Sequence, residues 1–348
     1  MKLRKSSIVA IVCAIVLFLN AACAPQASPS PTAAVPQPTA TLPPVPTETT
    51  MPPTPTLPPT VTPSPTPQQP VTSYASALPL FNYDPKAPFD VKITSEKTQD
   101  RITIHDITYK AANPQFATLV GGRIAAYVVT PPGSGPFAGV LFVHGLGSGW
   151  GNRGEFLNDA IALAKKGVVS VLPAGLFPWI ITHEGTAQAD QLNVIHQVIE
   201  LRRSLDLLLA QPGVDPQRIA YVGHDYGAMH GAVLSGVEKR IQSYVLMAGD
   251  SNYSNWALQY FVHPADPDTY MQQMAAVDSV TYLPHAAPAQ LYFQFGKQDG
   301  YVSQEAADAQ VAAASQPNKV DWYDADHTLN DQATADRLAW LDSRLDLK

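Results

Sequence analysis

Short apolar runs alternate with helical stretches from about residue 100 to the end of the chain, and this alternation constrains the fold. The run Phe137–Val143 is almost continuously apolar, as expected of a strand that is buried on both faces. Strands are predicted at residues 101–109, 123–130, 137–143, 168–172, 218–222, 243–247, 290–295 and 320–323, and helices at 155–166, 187–210, 227–237, 304–314 and 331–345. The pattern predicts an α/β fold with a mostly parallel, doubly wound sheet and helices on both faces.

The N-terminal part of the chain lacks this alternation. Seventeen of the 33 prolines fall between Pro25 and Pro70, a stretch whose only charged residue is Glu48. Such Pro/Thr-rich sequence has too few large apolar side chains to offset the entropy of ordering, and proline favours an extended conformation. We therefore predict a disordered tether over residues 23–72 and one folded domain over residues 73–348.

The first 22 residues have the pattern of an export signal. A basic start at residues 1–5 precedes an apolar run, Ile8–Leu19. A helix of this length spans about 18 Å, short of the roughly 30 Å hydrocarbon core, which favours a cleaved signal over a spanning helix. Two alanines before Cys23 resemble a bacterial lipobox, although Asn20 stands where leucine is usual. We expect an exported protein anchored to the membrane through lipidated Cys23, with plain secretion or an uncleaved anchor as alternatives.

Charge and cysteine content exclude several functions for the domain. The whole chain carries −7; three of its cations lie in the first five residues and Glu48 lies in the tether, so the domain carries −9. This acidic balance argues against nucleic acid as a partner. Both cysteines, Cys13 and Cys23, precede the domain. Disulfides, cysteine-ligated metals and a thiol nucleophile are therefore excluded there.

Polar residues follow four of the predicted strands in a recognisable order. The four segments are His144-Gly145-Leu146-Gly147, Gly223-His224-Asp225-Tyr226-Gly227, Gly296-Lys297-Gln298-Asp299 and Asp324-Ala325-Asp326-His327. Sites in α/β sheets lie at the carboxyl ends of the strands. The order resembles that of the α/β-hydrolase fold over about residues 100–348. The Gly-x-nucleophile-x-Gly turn is the most specific element, because a sharp strand-to-helix turn needs small residues on either side.

Aspartate stands where most α/β-hydrolases have serine. The sequence from Gly223 to Ala228 is similar to the turn of epoxide hydrolases and of haloalkane and haloacetate dehalogenases. In those families the aspartate attacks an sp³ carbon, and a histidine-activated water hydrolyses the resulting ester. The resemblance implies that Asp225 is the nucleophile in cleaving a carbon–oxygen or carbon–halogen bond of a small, mostly apolar substrate.

The overall layout is more similar to the dienelactone-hydrolase-like group. A Gly-x-x-Asp-x-x-Val loop occupies residues 296–302, and Ala-x-His ends at His327. Epoxide hydrolases and dehalogenases normally insert a sizeable cap, whereas residues 249–288 leave room for only about 40 residues. An ester or lactone hydrolase of the dienelactone-hydrolase-like group is therefore one alternative. A non-catalytic binding lipoprotein built on a hydrolase scaffold is another.

The resemblance also assigns roles to the site residues. Asp225 is the expected nucleophile, and His327 the base that activates water. Asp299 would hold the imidazole in the correct tautomer. Asp250 is its rival, because some dehalogenases draw their acid from the corresponding loop.

Backbone and loop groups complete the predicted site. The backbone N–H groups of Leu146 and Tyr226 are the expected oxyanion donors. Four side chains are candidates for contact with the substrate: His144, Trp150, Trp179 and His224. The histidines around the turn show no metal-ligand spacing with a carboxylate, and the glycine-rich loop after His144 lacks the Gly-Lys-Ser/Thr ending of a phosphate loop. Neither a metal nor another cofactor is expected.

Overall fold

The computed structural model of the protein describes residues 71–113, 121–146, 152–175 and 186–347. The strands are Lys92–Gln99 (β1), Ile102–Lys110 (β2), Arg123–Thr130 (β3), Phe137–Val143 (β4), Val168–Pro173 (β5), Val214–His224 (β6), Ser243–Met247 (β7), Gln290–Gly296 (β8) and Asn318–Tyr323 (β9). The predicted signal peptide, Cys23 and nearly all of the predicted tether lie outside the described residues, as do Trp150 and Trp179.

Helices connect most of these strands. The α-helices are Tyr74–Ala77 (α1), Leu157–Ala164 (α2), Ala187–Leu209 (α3), Tyr226–Val237 (α4), Tyr253–Tyr260 (α5), Pro267–Met274 (α6), Ser279–Tyr282 (α7), Gln304–Ala313 (α8) and Asp331–Arg344 (α9), with 3₁₀ turns at Leu78–Phe81, Ala275–Val277 and Leu283–His285. In the described ranges, no helix has both the length and the apolar character needed to cross a bilayer.

One nine-stranded sheet carries the fold, in the order β1-β2-β3-β5-β4-β6-β7-β8-β9. The strands from β5 to β9 in this order pair in parallel, whereas β1, β2 and β3 join them antiparallel. The predicted α/β class with a mostly parallel sheet is confirmed. Because β4, β6, β8 and β9 all run in the same direction, the polar residues that follow them meet at one edge of the sheet.

The core has two layers, one on each face of the sheet. Within β4, Leu141 and Val143 pack in the layer that contains α3 and α4, while Val140 and Phe142 pack in the layer that contains α2 and α9. Every residue of this strand is buried. Burial on both faces explains why the strand is a continuous apolar run and not an alternating one.

The elements that the sequence pattern missed are the exposed and the short ones. All eight residues of β1 are exposed, and it pairs with β2 alone, so it shows no apolar alternation. The segment between β7 and β8 folds into α5, α6 and α7, each of eight residues or fewer. These short helices occupy the place where a large cap would be inserted.

The joint between β6 and α4 depends on two glycines. A Cβ on Gly223 would lie 2.3 Å from the carbonyl oxygen of Gly227, and a Cβ on Gly227 would lie 2.1 Å from the carbonyl oxygen of Val143. Both obstacles are backbone atoms, which cannot rotate away as the end of a side chain can. The turn therefore requires glycine at both positions.

We expect Gly227→Ala to lower the free energy of unfolding by about 1–3 kcal/mol, because the added methyl group must displace the backbone of β4. Thermal denaturation should show a fall in Tm of several degrees. Gly300→Ala is the matched control, since a Cβ there would have no heavy atom within 4 Å. Equal Tm values for the two variants would contradict the close-packing explanation.

Candidate active site

Asp225 occupies the turn between β6 and α4 in a strained backbone conformation. Its φ is 52° and its ψ is −112°, in a region that residues with a side chain rarely adopt. The backbone N–H donates to the carbonyl oxygen of Met247 at 2.8 Å, and the residue is 3% exposed. The surrounding close contacts hold this conformation, which presents the carboxylate at the carboxyl end of the sheet.

The two carboxylate oxygens of Asp225 face different partners. Oδ2 accepts a hydrogen bond from the backbone N–H of Leu146 at 2.9 Å. Oδ1 lies 3.5 Å from Nε2 of His327. Tyr226, the other expected oxyanion donor, is the first residue of α4; a role for its N–H stays a prediction. One oxygen thus rests on the predicted oxyanion donor, while the other faces the imidazole.

His327 lies between Asp225 and Asp299. Its Nδ1 is 2.8 Å from Oδ2 of Asp299, whose Oδ1 accepts hydrogen bonds from the backbone N–H groups of Tyr301 and Val302. Since a carboxylate only accepts, the Nδ1 of His327 carries a proton and Nε2 faces Asp225. The loops after β6, β8 and β9 therefore assemble three side chains into a continuous chain of contacts.

Asp250 takes a different position. Its Oδ1 accepts from the backbone N–H of Asn252 at 2.9 Å and from the hydroxyl of Ser251 at 3.3 Å. Burial raises the pKa of Asp250, and the nearby charge of Asp225 raises it further. The structure brings Asp299 against His327 and leaves Asp250 to the turn that follows β7.

The two carboxylates determine the protonation of His327. Burial alone would lower the pKa of this histidine, but hydrogen bonds to Asp225 and Asp299, together with their negative charges, raise its pKa to about 9. The imidazole of His327 is therefore protonated at neutral pH. Any reaction that neutralises Asp225 removes part of this stabilisation and releases the proton more readily.

His144 has both ring nitrogens engaged by the backbone. Nδ1 donates to the carbonyl oxygen of Gly145 at 2.6 Å, and Nε2 accepts from the N–H of Gly175 at 2.8 Å. The neutral tautomer satisfies both contacts, and burial lowers the pKa of His144 in the same direction. The Gly145 carbonyl belongs to the same peptide unit as the Leu146 N–H, and the two point in opposite directions. His144 thus helps to orient the N–H that contacts Asp225, and its predicted contact with substrate stays a prediction.

His224 is likewise bound within the protein. Its Nε2 donates to the backbone carbonyl oxygen of His327 at 2.9 Å, and its Nδ1 lies 2.6 Å from Oε1 of Glu155. The other carboxylate oxygen of Glu155 accepts from the N–H of Gly145 at 2.9 Å. Both ring nitrogens of His224 thus contact protein oxygens, and a contact with substrate stays a prediction. Sequence reasoning missed Glu155, and the only available signal was an acidic residue shortly after the glycine-rich loop.

A group of aromatic side chains lies beside the same imidazole. The ring of Tyr301 is 4.9 Å from that of His327, and the rings of Tyr260 and Trp256 follow at 6.1 and 5.1 Å along the row. Tyr301 and Tyr260 are 51% and 38% exposed, unusually open for large apolar side chains of this domain. Sequence reasoning did not identify Tyr301, although it lies two residues after Asp299.

The described part of the chain contains no group of three or more histidine, cysteine or acidic side chains arranged to hold a metal ion. The acidic side chains at the site instead contact His327, His224 and backbone N–H groups. Trp150 and Trp179, predicted to contact substrate, lie outside the described residues.

Comparison with known proteins supports the fold assignment. No family model matches the chain, and no curated protein matches its sequence. Among solved structures, an acetyl xylan esterase from Paenibacillus sp. R4 is similar to the chain, with 18% identity and a TM-score of 0.63; the match covers 78% of this chain and 93% of that one. An acetyl xylan esterase from Thermoanaerobacterium sp. has 12% identity and a TM-score of 0.61, and the match covers 78% of this chain and 95% of that one. A Klebsiella pneumoniae protein assigned to the dienelactone hydrolases gives 15% identity and a TM-score of 0.51, covering 70% of this chain and 98% of its own. At these identities the likeness establishes the fold: the chain has the α/β-hydrolase fold.

Replacing Asp225 with asparagine should lower the pKa of His327 from about 9, because it removes a hydrogen bond and a charge that favour the imidazolium. We expect a fall of about one unit or more, measured by NMR titration of the histidine ring. Asp326→Asn is the matched control: Asp326 is an exposed carboxylate adjacent to His327 in sequence. A titration midpoint that stays near that of the wild type in Asp225→Asn would show that Asp225 does not stabilise the charged imidazole.

Proposed function

We propose that this protein is a hydrolase that cleaves small, mostly apolar substrates through a covalent ester on Asp225. The observation that carries the proposal is that the two carboxylate oxygens of Asp225 have different partners. Oδ2 accepts a hydrogen bond from the Leu146 N–H at 2.9 Å, and Oδ1 lies 3.5 Å from Nε2 of His327. One oxygen is thereby available for attack, while the other already rests where negative charge would be stabilised.

In the first half of the proposed reaction, Oδ1 of Asp225 attacks an electrophilic carbon of the substrate. A bond forms between Oδ1 and that carbon, and the bond to the leaving group breaks with its electron pair. The ester that results has no negative charge, so the pKa of His327 falls from about 9. The proton of His327 passes to solvent, where it balances the charge of the departing group, and a neutral imidazole remains beside the ester.

In the second half, the neutral His327 takes a proton from water, which attacks Cγ of Asp225. The tetrahedral intermediate places its negative charge on Oδ2, which already accepts the hydrogen bond from Leu146. Cleavage between Cγ and the ester oxygen releases the hydroxylated product and regenerates the carboxylate. Asp299 holds the imidazole in the required tautomer throughout.

Two substrate classes fit this site, and different observations favour them. The fold neighbours named above are esterases or an assigned dienelactone hydrolase, and the short helices between β7 and β8 leave no large cap. These features favour an ester or lactone over an epoxide or halide. The aspartate itself favours attack on an sp³ carbon, because attack on an acyl carbon would give a reactive mixed anhydride. Carboxylic esters are therefore the first substrates to test, followed by epoxides and alkyl halides.

The location of the protein is proposed from the sequence alone. A basic start, the apolar run Ile8–Leu19 and the alanines before Cys23 support export and lipid anchoring at that cysteine. The Pro/Thr-rich residues would then hold the domain away from the membrane surface on an extended tether.

Isotope transfer in a single turnover tests the covalent ester. The protein is used in excess over substrate in H₂¹⁸O. The oxygen that the substrate carbon gains then comes from Asp225 and is unlabelled, while the peptide that contains Asp225 gains one ¹⁸O. Mass spectrometry of product and peptide measures both. Direct attack by water would instead give labelled product and an unlabelled peptide, which would overturn the proposed ester.

The variant His327→Gln identifies the substrate class, because it removes the base that hydrolyses the ester. Intact mass should show a trapped adduct that is absent from His327→Gln/Asp225→Asn. An adduct with the mass of the alkyl part of the substrate indicates attack on an sp³ carbon, and one with the mass of the acyl part indicates attack on the carbonyl. The absence of both adduct and turnover across esters, epoxides and halides would favour a binding protein on a hydrolase scaffold.

Tyr301→Ala should raise KM by about tenfold with a smaller effect on kcat, since it removes an exposed ring beside His327 that we propose binds the apolar part of the substrate. Steady-state kinetics on the substrate identified by trapping measures both constants. Leu78→Ala is the control, because Leu78 is a similarly exposed apolar side chain outside the site. A fall in kcat with no change in KM would contradict a binding role for the ring.

A further inference from the structure

Glu155 and His224 connect the loop that contains Gly145 to the loop that contains His327. The proposed reaction depends on the position of these two loops relative to each other. Glu155 accepts a hydrogen bond from the N–H of Gly145, the residue before the oxyanion donor Leu146. His224 donates to the backbone carbonyl oxygen of His327. The contact of 2.6 Å between Glu155 and His224 closes the connection. We call the loop after β4 that contains Gly145 and Leu146 the oxyanion loop. A single path of three hydrogen bonds therefore joins the backbone of this loop to the backbone of His327, the residue proposed as base.

We propose that Glu155 and His224 act as one positioning unit that fixes the oxyanion donor and the base of this site relative to Asp225. The proposal rests on the proposed function for its kinetic consequences, but the positioning itself is a property of the resting protein. Neither residue is assigned contact with the reacting atoms; both act through the backbone that they bind.

The burial of the pair explains why its geometry is firmly held. His224 is 1% exposed, and the side chain of Glu155 is 11% exposed. Each nitrogen of His224 faces an oxygen acceptor, and Oε2 of Glu155 is occupied by an N–H donor. Losing either side chain would therefore leave a buried polar partner unsatisfied.

The location of the two residues suits a positioning role. His224 is the residue immediately before Asp225, so its backbone belongs to the same strained turn as the proposed nucleophile. Its side chain reaches the loop of His327, and the two rings lie 5.1 Å apart. Displacement of either loop would change the distance of 3.5 Å between Oδ1 of Asp225 and Nε2 of His327. A displacement of about 1 Å at such a site can cost on the order of 100-fold in rate.

A nearby buried pair provides a matched control. Asp159 lies four residues after Glu155 and binds Arg337 at 2.8 Å, again with little exposure of either side chain. Among its described contacts, none reaches Asp225, His327 or the oxyanion loop. The charges of Asp159 and Glu155 act on each other, but removal of Asp159 breaks none of the three hydrogen bonds of the proposed positioning unit. It therefore tests the effect of losing a buried charged contact in the same region.

The experiment compares Glu155→Ala, Glu155→Gln and Asp159→Ala in the full chain. Selective ¹⁵N labelling of the nine histidines, with His327→Gln for assignment, follows the His327 titration without any substrate. Kinetics on the substrate identified by trapping gives kcat and KM. We expect Glu155→Ala to lower the His327 titration midpoint and to reduce kcat by about 100-fold with little change in KM.

Glu155→Gln should restore most of the His327 titration midpoint and most of kcat, because its amide N–H can donate to Nδ1 of His224 while its oxygen accepts from the N–H of Gly145. Asp159→Ala should leave the His327 titration unchanged even where it lowers Tm. An unshifted titration in Glu155→Ala, an equal shift in Asp159→Ala, or no restoration in Glu155→Gln would each overturn the positioning unit. If the wild type turns over no substrate, the proposed function fails, while the titration still decides the positioning proposal.

Discussion

The close approach of β4 to the start of α4 is the contact on which the site depends. Gly227 lies so near the carbonyl of Val143 that no side chain fits between them, and the next residue along the chain from Val143 begins the oxyanion loop. The packing of α4 against β4 therefore also brings the Leu146 N–H within hydrogen-bonding distance of the Asp225 carboxylate. Close packing at this joint holds Asp225 at a φ of 52°, a conformation that would otherwise relax.

The fold was predictable where burial leaves a pattern in the sequence. The bounds of β4 and of β7 agree with the apolar runs that predicted them, because every residue of these strands is buried. Strand β1 was missed since all its residues are exposed. The short helices between β7 and β8 were missed for a related reason, as eight residues or fewer give too little periodicity to recognise.

The site was predictable only as far as the fold brings strand ends together. Asp225, Asp299 and His327 each follow a strand, so their meeting follows from the parallel sheet. Glu155 follows no strand, and it reaches His224 across 69 positions of sequence through tertiary contact alone. The backbone contacts of His144 and His224 could not be predicted for the same reason: a histidine at a strand end indicates a site, but its hydrogen-bond partners follow from tertiary contact.

Aspartate in place of serine changes which atom accepts the hydrogen bond of the predicted oxyanion donor, the Leu146 N–H. A serine nucleophile has one oxygen, so the donor remains available to the carbonyl oxygen of a substrate. Asp225 has a second oxygen, and it occupies that donor in the resting protein. The donor is then aligned with the carboxyl carbon of the enzyme, which favours hydrolysis of an ester at Asp225. In the proposed reaction, the same carboxylate would keep His327 protonated until the ester forms. The aspartate would thus tie the release of the proposed base to the completion of the first chemical step.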